Sequence, residues 1–220
     1  MIIFRVTTFA LLFFTSTNTN AQKSISEGTI SYNLSSQSDT KSSQTDPLSG
    51  ATNTIYLKGT LSRTDMVSSL GKETTIYDTK TGTGVILKEY SGQKLMITLT
   101  KDNWVSQNKK FDGIIFTPTT ETKTIANYNC KKVVGKLKDG SAITVFYAPD
   151  LYVNNKEYNQ TFKNLQGLPI EYEFQSGSLR FKYLLTGIDF GIIPSVKFEL
   201  PKAGYRVISY DENRKGKNEN

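Results

Sequence analysis

The sequence contains no histidine and a single cysteine, Cys130, among its 220 residues. Without histidine there is no imidazole to act as a general base, to complete a Ser-His-Asp triad or to bind a metal. One cysteine excludes an intrachain disulfide and a cysteine-rich zinc site. A catalytic thiolate is the least favoured role for Cys130, because no histidine can activate it. A buried strand residue and an intermolecular disulfide are the two other roles.

Short catalytic motifs are also missing, since there is no G-x-S-x-G elbow, no P-loop and no G-x-G-x-x-G run. Glu171 and Glu173 share one strand face, a spacing that a two-carboxylate glycosidase could use. Arg180 and Lys182 on the neighbouring strand explain both acids more simply as cross-strand ion pairs. We therefore predict a protein that is not an enzyme, with no catalytic residue, no metal site and no cofactor.

Long apolar segments are confined to the N-terminus, where residues 1–21 indicate a cleaved signal peptide. Arg5 precedes the apolar stretch Val6–Phe14, and a polar segment then ends in Ala21, a small residue suited to cleavage. The apolar stretch is shorter than the about 20 residues of a transmembrane helix. We predict a periplasmic protein without a transmembrane span in the mature chain. Peripheral contact with the outer membrane is left open.

Positive charge exceeds negative charge, with 27 Lys+Arg against 20 Asp+Glu and a net charge of +7. Basic runs such as Lys109-Lys110 and Lys131-Lys132 have the charge that nucleic-acid binding requires. An exported protein rarely meets nucleic acid, so we predict no such partner. A solvated basic surface, or attraction to anionic lipid headgroups, explains the charge better.

Short alternating strands separated by turns fill the rest of the chain. We predict a single β-rich domain over residues 22–210, with a long polar loop at 35–54 and a disordered tail at 211–220. Two-residue loops at Ser91-Gly92, Asp139-Gly140 and Ser176-Gly177 predict three antiparallel hairpins. The expected cross-strand partners are Glu89 with Lys94, Val133 with Phe146, Val134 with Val145, Tyr172 with Phe181, Glu173 with Arg180, and Glu171 with Lys182.

Helical segments are few. Lys101–Lys109 around Trp104 favours a short helix, and Leu151–Leu165 is a weaker case because its asparagines are poor helix formers. The predicted fold class is therefore mostly β, a curved antiparallel sheet forming an open half-barrel with one or two short covering helices. A closed lipocalin-like barrel and a two-sheet sandwich are the alternatives.

Several segments taken in order resemble a family of exported Gram-negative proteins of unknown function related to the GLPGLI group. The segments are GTISYNL, IYLKGTLSRTDM, TTIYDTKTG, KTIANYNCKKVVGKLKDGSAITVFYAPDL and LQGLPIEYEF. The matching positions are Ile125, Tyr128, Cys130, Lys132, Tyr147, Asp150, Leu151, Gly167, Leu168 and Pro169. The chain departs from the family pattern after Pro169, where it continues as Ile170-Glu171-Tyr172. This resemblance implies a fold like that of the lipoprotein carriers LolA and LolB, with an apolar groove able to hold acyl chains.

The inward residues of such a half-barrel would line the groove. The groove candidates are Tyr56, Ile86, Met96, Val145, Tyr172, Phe181 and Tyr183. The sequence thus predicts a periplasmic or envelope protein that binds a lipid, an acyl chain or another hydrophobic ligand. The alternative is a structural or interaction module of the cell envelope, which recruits a protein partner through the loop 35–54 or a sheet edge.

Overall fold

The computed structural model describes residues 22–38 and 48–218. The predicted signal peptide and residues 39–47 of the predicted loop lie outside the described residues. The strands in chain order are β1 Lys23–Ile25, β2 Glu27–Ser38, β3 Ala51–Lys58, β4 Leu61–Ser68, β5 Gly71–Asp78, β6 Thr83–Tyr90, β7 Gln93–Leu99, β8 Ile115–Ile125, β9 Tyr128–Lys136, β10 Ala142–Ala148, β11 Leu151–Val153, β12 Leu168–Ser176, β13 Leu179–Asp189 and β14 Arg206–Ser209.

Twelve of these strands form one open sheet in the order β14-β7-β6-β5-β4-β3-β2-β13-β12-β10-β9-β8, while β1 and β11 pair separately. The long sheet is antiparallel except for the β14–β7 pair. This confirms the predicted fold class, a mostly β protein built on an open sheet with few short helices. Neither a closed barrel nor a second sheet packed face to face against the first is formed by the described residues.

The sheet is strongly curved. Six strand-to-strand steps separate β5 from β10, which in a flat sheet would be about 29 Å at about 4.8 Å a step. Residues of β5 and β10 nevertheless line one cavity. We call the face that surrounds this cavity the inner face and the other the outer face.

Most of the core lies on the inner face of the central strands, because apolar residues alternate along each of them. Tyr32 on β2, Ile55 on β3 and Ile170 on β12 are among the residues with at most 2% exposure. A second inner-face cluster lies under β5–β7, where Trp104 stacks on Tyr77 with ring centroids 4.0 Å apart.

The outer face of β3–β7 carries a cluster of its own. Ile76, Val85 and Leu87 are buried there beneath the chain that joins β13 to β14, which contributes Ile193 and Phe198. Both faces of this half of the sheet are therefore covered, one by a helix and the other by a connecting segment.

Helix α1, Lys101–Asn108, agrees with the predicted helix at Lys101–Lys109. It begins with a reciprocal cap in which the Thr100 hydroxyl accepts from the Asn103 backbone N–H at 3.2 Å and the Asn103 side chain accepts from the Thr100 N–H at 3.0 Å. No helix among the described residues is long and apolar enough to cross a membrane.

The weaker helix prediction at Leu151–Leu165 is wrong. The segment forms strand β11 and two 3-10 turns, Lys156–Tyr158 and Gln160–Phe162. Asparagine competes with helical hydrogen bonding through its own side chain. Here Asn159 accepts from the Thr161 backbone N–H at 3.1 Å and so starts the second turn.

The predicted tail differs from the structure as well, since residues Tyr210–Asn218 form helix α2. The Ser209 hydroxyl accepts from the Glu212 backbone N–H at 3.2 Å, and the Glu212 carboxylate accepts from the Ser209 N–H at 2.6 Å. This is a capping box, and its S-x-x-E signature is visible in the sequence at Ser209–Glu212. The predicted polar loop is also shorter than 35–54, because β2 continues to Ser38 and β3 begins at Ala51.

The three hairpins form, with two changes of register. Glu89 pairs with Lys94 as predicted. In the β9–β10 hairpin Val133 pairs with Val145 and not with Phe146, because the connection includes residues 137–141 and not only Asp139-Gly140. In the β12–β13 hairpin the two-residue loop is one residue further on, so the observed partners are Tyr172 with Tyr183, Glu173 with Lys182, and Gln175 with Arg180.

Candidate functional site

A cavity of about 730 Å³ opens on the inner face, between the two halves of the curved sheet. One side comes from strands β3–β5 and the other from β10, β12 and β13. Two pieces of irregular chain cover it, around Lys110-Phe111 and around Asn159–Phe162. The curved sheet encloses more space than these two short segments fill, and the remaining space is the cavity.

Aromatic rings form the wall on β12 and β13. Tyr172 stacks on Tyr183 with centroids 4.4 Å apart, and Phe174 lies 6.0 Å from Tyr183. Phe181 continues the stack at 5.3 Å from Phe174. Phe162, which lies on the covering segment, meets Tyr172 edge-on with ring centroids 4.7 Å apart. Alternation along two paired strands places all four strand aromatics on one face, where they make a continuous apolar surface.

Polar side chains form the facing wall. Asn53 on β3 is 7% exposed and lines the cavity. Thr64 on β4 and Thr75 on β5 lie beside it, and Glu73 pairs with Lys88 at 3.2 Å. An asparagine amide can donate and accept hydrogen bonds, and a threonine hydroxyl can do the same. The facing wall therefore offers hydrogen bonds to a bound molecule.

The rim carries both charges. Lys110 and Asp139 border the cavity. The Ser141 hydroxyl and backbone N–H donate to Asp139 at 2.6 Å and 2.9 Å, and these bonds lower the pKa of the Asp139 carboxyl. Asp139 therefore stays ionised at neutral pH, opposite a basic side chain on the covering segment.

The inner-face tyrosines are neutral at physiological pH. Burial raises the pKa of Tyr172 well above its ordinary value and the pKa of Tyr183 to about 12. Tyr32 beneath them donates to the Pro169 carbonyl at 2.8 Å, and burial raises its pKa too. The described residues contain no cluster of three or more potential metal ligands. The site can thus bind by shape, apolar contact and neutral hydrogen bonds.

The structure separates the seven groove candidates into three groups. Tyr172 and Tyr183 line the cavity. Phe181 stacks on Phe174, which also lines it. Val145 is fully buried in the core under the same face, and Ile86 belongs to the separate cluster around Trp104. The remaining two, Tyr56 and Met96, lie on the outer face around Ile193 and Phe198.

Sequence reasoning missed the covering side chains Phe111 and Phe162 and the polar wall at Asn53, Thr64 and Thr75. Strand alternation predicts which residues share a face but not which face becomes concave, nor which loop returns over it. One available signal was the polar Asn53 inside the otherwise apolar inner row of β3, formed by Ala51, Ile55 and Leu57.

No protein-family model matches the sequence, and no curated protein sequence is significantly similar to it. Among solved structures, an uncharacterized conserved protein from Thermus thermophilus aligns at a TM-score of 0.51, with 10% identity over 86% of this chain and 94% of that chain. A structure of PNGF-II aligns at 0.49, with 14% identity over 87% of this chain. A LolA superfamily protein from Nitrosomonas europaea aligns at 0.34, with 6% identity over 80% of this chain and 91% of that chain.

The chain spans 33% of the length of PNGF-II, so that protein is three times as large as the shared part. The Thermus thermophilus protein shares the fold over nearly its whole length, and at 10% identity the likeness concerns the fold alone. The weaker alignments carry no argument about ligand or activity. The resemblance to the GLPGLI group stays a prediction, since no family model matches.

Proposed function

We propose that this protein is a non-enzymatic binder of a lipid or a similar amphipathic molecule, held in the inner-face cavity. The observation that carries the proposal is a cavity of about 730 Å³ with an aromatic wall on one side and the polar side chains of Asn53, Thr64 and Thr75 on the other. Cavities that bind small molecules typically measure about 300–1,000 Å³ and combine apolar walls with a few placed polar groups.

The two walls predict the chemistry of the ligand. Its apolar part would lie against Tyr172, Phe174 and Tyr183, where each Å² of apolar surface removed from water contributes about 25 cal/mol. A hydroxyl, ester or carboxyl group would form hydrogen bonds with Asn53 and Thr64. Long-chain fatty acids and acylated molecules have both features.

The cellular context belongs to the same proposal. A signal peptide at residues 1–21 and a relationship to the exported GLPGLI-like family would place the protein in the periplasm. A supporting observation is the +7 net charge, which favours contact with anionic envelope lipids. A carrier or sensor of envelope lipids fits this context better than an enzyme does.

Native mass spectrometry of the purified protein, prepared without detergent and titrated with oleate, tests the proposal. We expect one oleate per chain for the wild-type protein. Thr64→Phe places a ring inside the cavity and should weaken binding by about tenfold or more, equivalent to ~1.4 kcal/mol. Thr52→Phe is the matched control, because Thr52 is exposed on the other face of the adjacent strand.

The thermal midpoints of both variants should be measured first, so that loss of binding is separated from loss of folding. Equal oleate uptake by Thr64→Phe and wild type would overturn the proposed site. A wild-type protein that takes up no oleate and carries no lipid-sized mass from the cell would overturn the proposed function. It would leave the envelope interaction module as the alternative.

A further inference from the structure

The connection between β13 and β14 displays apolar side chains on the outer face. In the segment Phe190–Leu200, which we call the strap, four large apolar residues are exposed. Their exposed fractions are Phe190 41%, Ile192 85%, Val196 63% and Leu200 47%. Four exposed apolar side chains within eleven residues make this segment a candidate interaction surface.

The strap is held firmly on the sheet. The Ile193 backbone N–H donates to a Glu27 carboxylate oxygen at 2.8 Å, and Lys58 Nζ donates to the Ile193 carbonyl at 2.8 Å. Arg63 Nη1 donates to the Lys197 carbonyl at 2.7 Å. Three side chains on β2, β3 and β4 thus fix the backbone of the strap at two points.

The strap also has an inward side. Ile193 and Phe198 are 6% and 9% exposed and complete the outer-face core. Ile192 and Val196 remain in water although the same short segment buries its neighbours. A flexible loop would lower its free energy by folding such side chains back onto the protein. The hydrogen bonds that hold the strap backbone on the sheet prevent this. The protrusion is therefore preformed.

The charge around the strap is positive. Residues 189–206 contain Lys197, Lys202 and Arg206 against Asp189 and Glu199, a net charge of 3 − 2 = +1. Lys23 from β1 adds a further cation, with its Nζ 3.3 Å from the centre of the Phe190 ring. Exposed aliphatic side chains with cations around them match the two layers of an anionic bilayer surface, acyl chains below and phosphates above.

A protein partner fits the same surface less well. Hot spots of protein interfaces are enriched in tryptophan, tyrosine and arginine, whereas leucine and valine are under-represented and lysine is depleted. The strap displays isoleucine, valine, leucine and phenylalanine with lysines beside them in the sequence. Shallow insertion into lipid needs no shaped counterpart.

We propose that the strap docks this protein on the surface of an anionic lipid bilayer. Ile192 and Val196 enter the boundary between headgroups and acyl chains, while Lys23, Lys197 and Lys202 lie at the phosphates. The interaction is peripheral and reversible, since the apolar area is small and the charge contribution is screened by salt. The strap is on the opposite face from the cavity, so docking leaves the cavity accessible.

Co-sedimentation with vesicles tests the proposal. One set of vesicles contains phosphatidylglycerol and phosphatidylcholine, and the other contains phosphatidylcholine alone. The wild-type protein should bind the anionic vesicles and lose that binding as salt is raised. Ile192→Asp with Val196→Asp should reduce the partition coefficient between water and vesicles by about tenfold or more. Removing even one such apolar side chain from water raises that coefficient by roughly the same factor.

Ile115→Asp is the matched control. Ile115 is 76% exposed on the edge strand β8, so the substitution makes the same chemical change at a similar exposure away from the strap. We expect it to leave vesicle binding unchanged. Lys197→Gln with Lys202→Gln should weaken binding several-fold and flatten its dependence on salt. The proposal is overturned if the wild type ignores anionic vesicles at low salt, if it binds both vesicle types equally, or if Ile115→Asp reduces binding as much as the strap variant.

Discussion

The tyrosines of the inner face make the stability of this fold depend on pH in the alkaline range. The phenol of Tyr183 has an ordinary pKa near 10 in an unfolded chain, and burial raises its pKa to about 12 in the folded protein. When the pKa of a group is higher in the folded state than in the unfolded state, its contribution to stability is fully present at any pH below the unfolded-state pKa. That contribution disappears as the pH rises from about 10 through about 12. Tyr172 beside it has a pKa raised by burial in the same direction.

We therefore predict that the free energy of unfolding falls steeply above about pH 10. In Tyr183→Phe the group that ionises is absent, so the fall between about pH 10 and pH 12 should shrink by on the order of 2 kcal/mol. Urea unfolding at a series of pH values measures it. Tyr152→Phe, a change at an exposed tyrosine outside the cavity, is the control. An unchanged pH dependence in Tyr183→Phe contradicts the prediction.

Cys130 is placed to stay reduced and inert. It is 1% exposed, its Sγ donates to the Tyr128 carbonyl at 3.3 Å, and burial raises the pKa of its thiol. A disulfide between chains needs an accessible sulfur, and thiol exchange needs a thiolate. Of the three roles that the sequence left open, the buried strand residue agrees with these contacts.

We predict that a thiol-specific reagent modifies native Cys130 at least about a hundredfold more slowly than the urea-unfolded protein, because modification requires local opening. Mass spectrometry after timed quenching measures both rates. A non-reducing mass of two chains, or equal rates in both states, contradicts it.

At the scale of elements, the Gly-Leu-Pro sequence at the start of β12 has a structural explanation. Gly167 has φ +154°, and a Cβ there would lie 2.4 Å from the Ala148 carbonyl oxygen. Leu168 is fully buried. Pro169 pairs with Tyr147 beside a β-bulge, where the lack of an N–H is tolerated. The motif therefore builds the entry to a central strand and contributes no group to the cavity.

Gly167→Ala should destabilise the protein by at least about 3 kcal/mol, because the new methyl meets backbone that cannot move aside. Gly177→Ala is the comparison. Gly177 also has positive φ, +61°, but nothing lies within 4 Å of its added Cβ, so only the cost of the left-handed backbone remains, about 1–2 kcal/mol. Urea denaturation gives both values. A loss for Gly167→Ala no larger than that for Gly177→Ala contradicts the steric argument.

Strand alternation was a reliable guide to faces and a poor guide to register. The shift in the β12–β13 hairpin moved every partner by two residues, which kept Tyr172 and Tyr183 on one face with Phe181. The shift in the β9–β10 hairpin moved partners by one residue, because a type I′ turn was expected where the chain makes a five-residue connection. Loop length is decided by packing around the turn, which short patterns do not encode.

The candidate site was predictable only in part for the same reason. Tyr172 and Tyr183 follow from alternation alone, whereas Tyr56 and Met96 share that periodicity and face the outer cluster. The two faces of the sheet look alike in sequence because both carry apolar residues. The strap buries those of the outer face, and the covering turns bury those of the inner face. Only the tertiary path of residues 109–111, 159–162 and 190–200 distinguishes them.

At the scale of the whole molecule, the curved sheet separates two surfaces of different chemistry. The inner face holds a cavity with an aromatic and a polar wall, and the outer face presents apolar side chains and lysines on the strap. The β-sheet between them is continuous and hydrogen-bonded from β14 to β8. A rigid sheet of this kind holds the two surfaces apart and gives neither a direct contact with the other.

The two proposed activities should consequently be separable. Thr64→Phe is expected to bind oleate about tenfold or more weakly than the wild type and to bind anionic vesicles as the wild type does. Ile192→Asp with Val196→Asp is expected to take up oleate normally and to bind the vesicles about tenfold or more weakly. Effects of changes this far apart, with no shared partner, normally add within about 0.5 kcal/mol. The comparison of wild type, each variant and their combination measures both affinities. If oleate uptake changes vesicle affinity more than about threefold, the surfaces are coupled through the sheet and the interpretation as two independent faces is wrong.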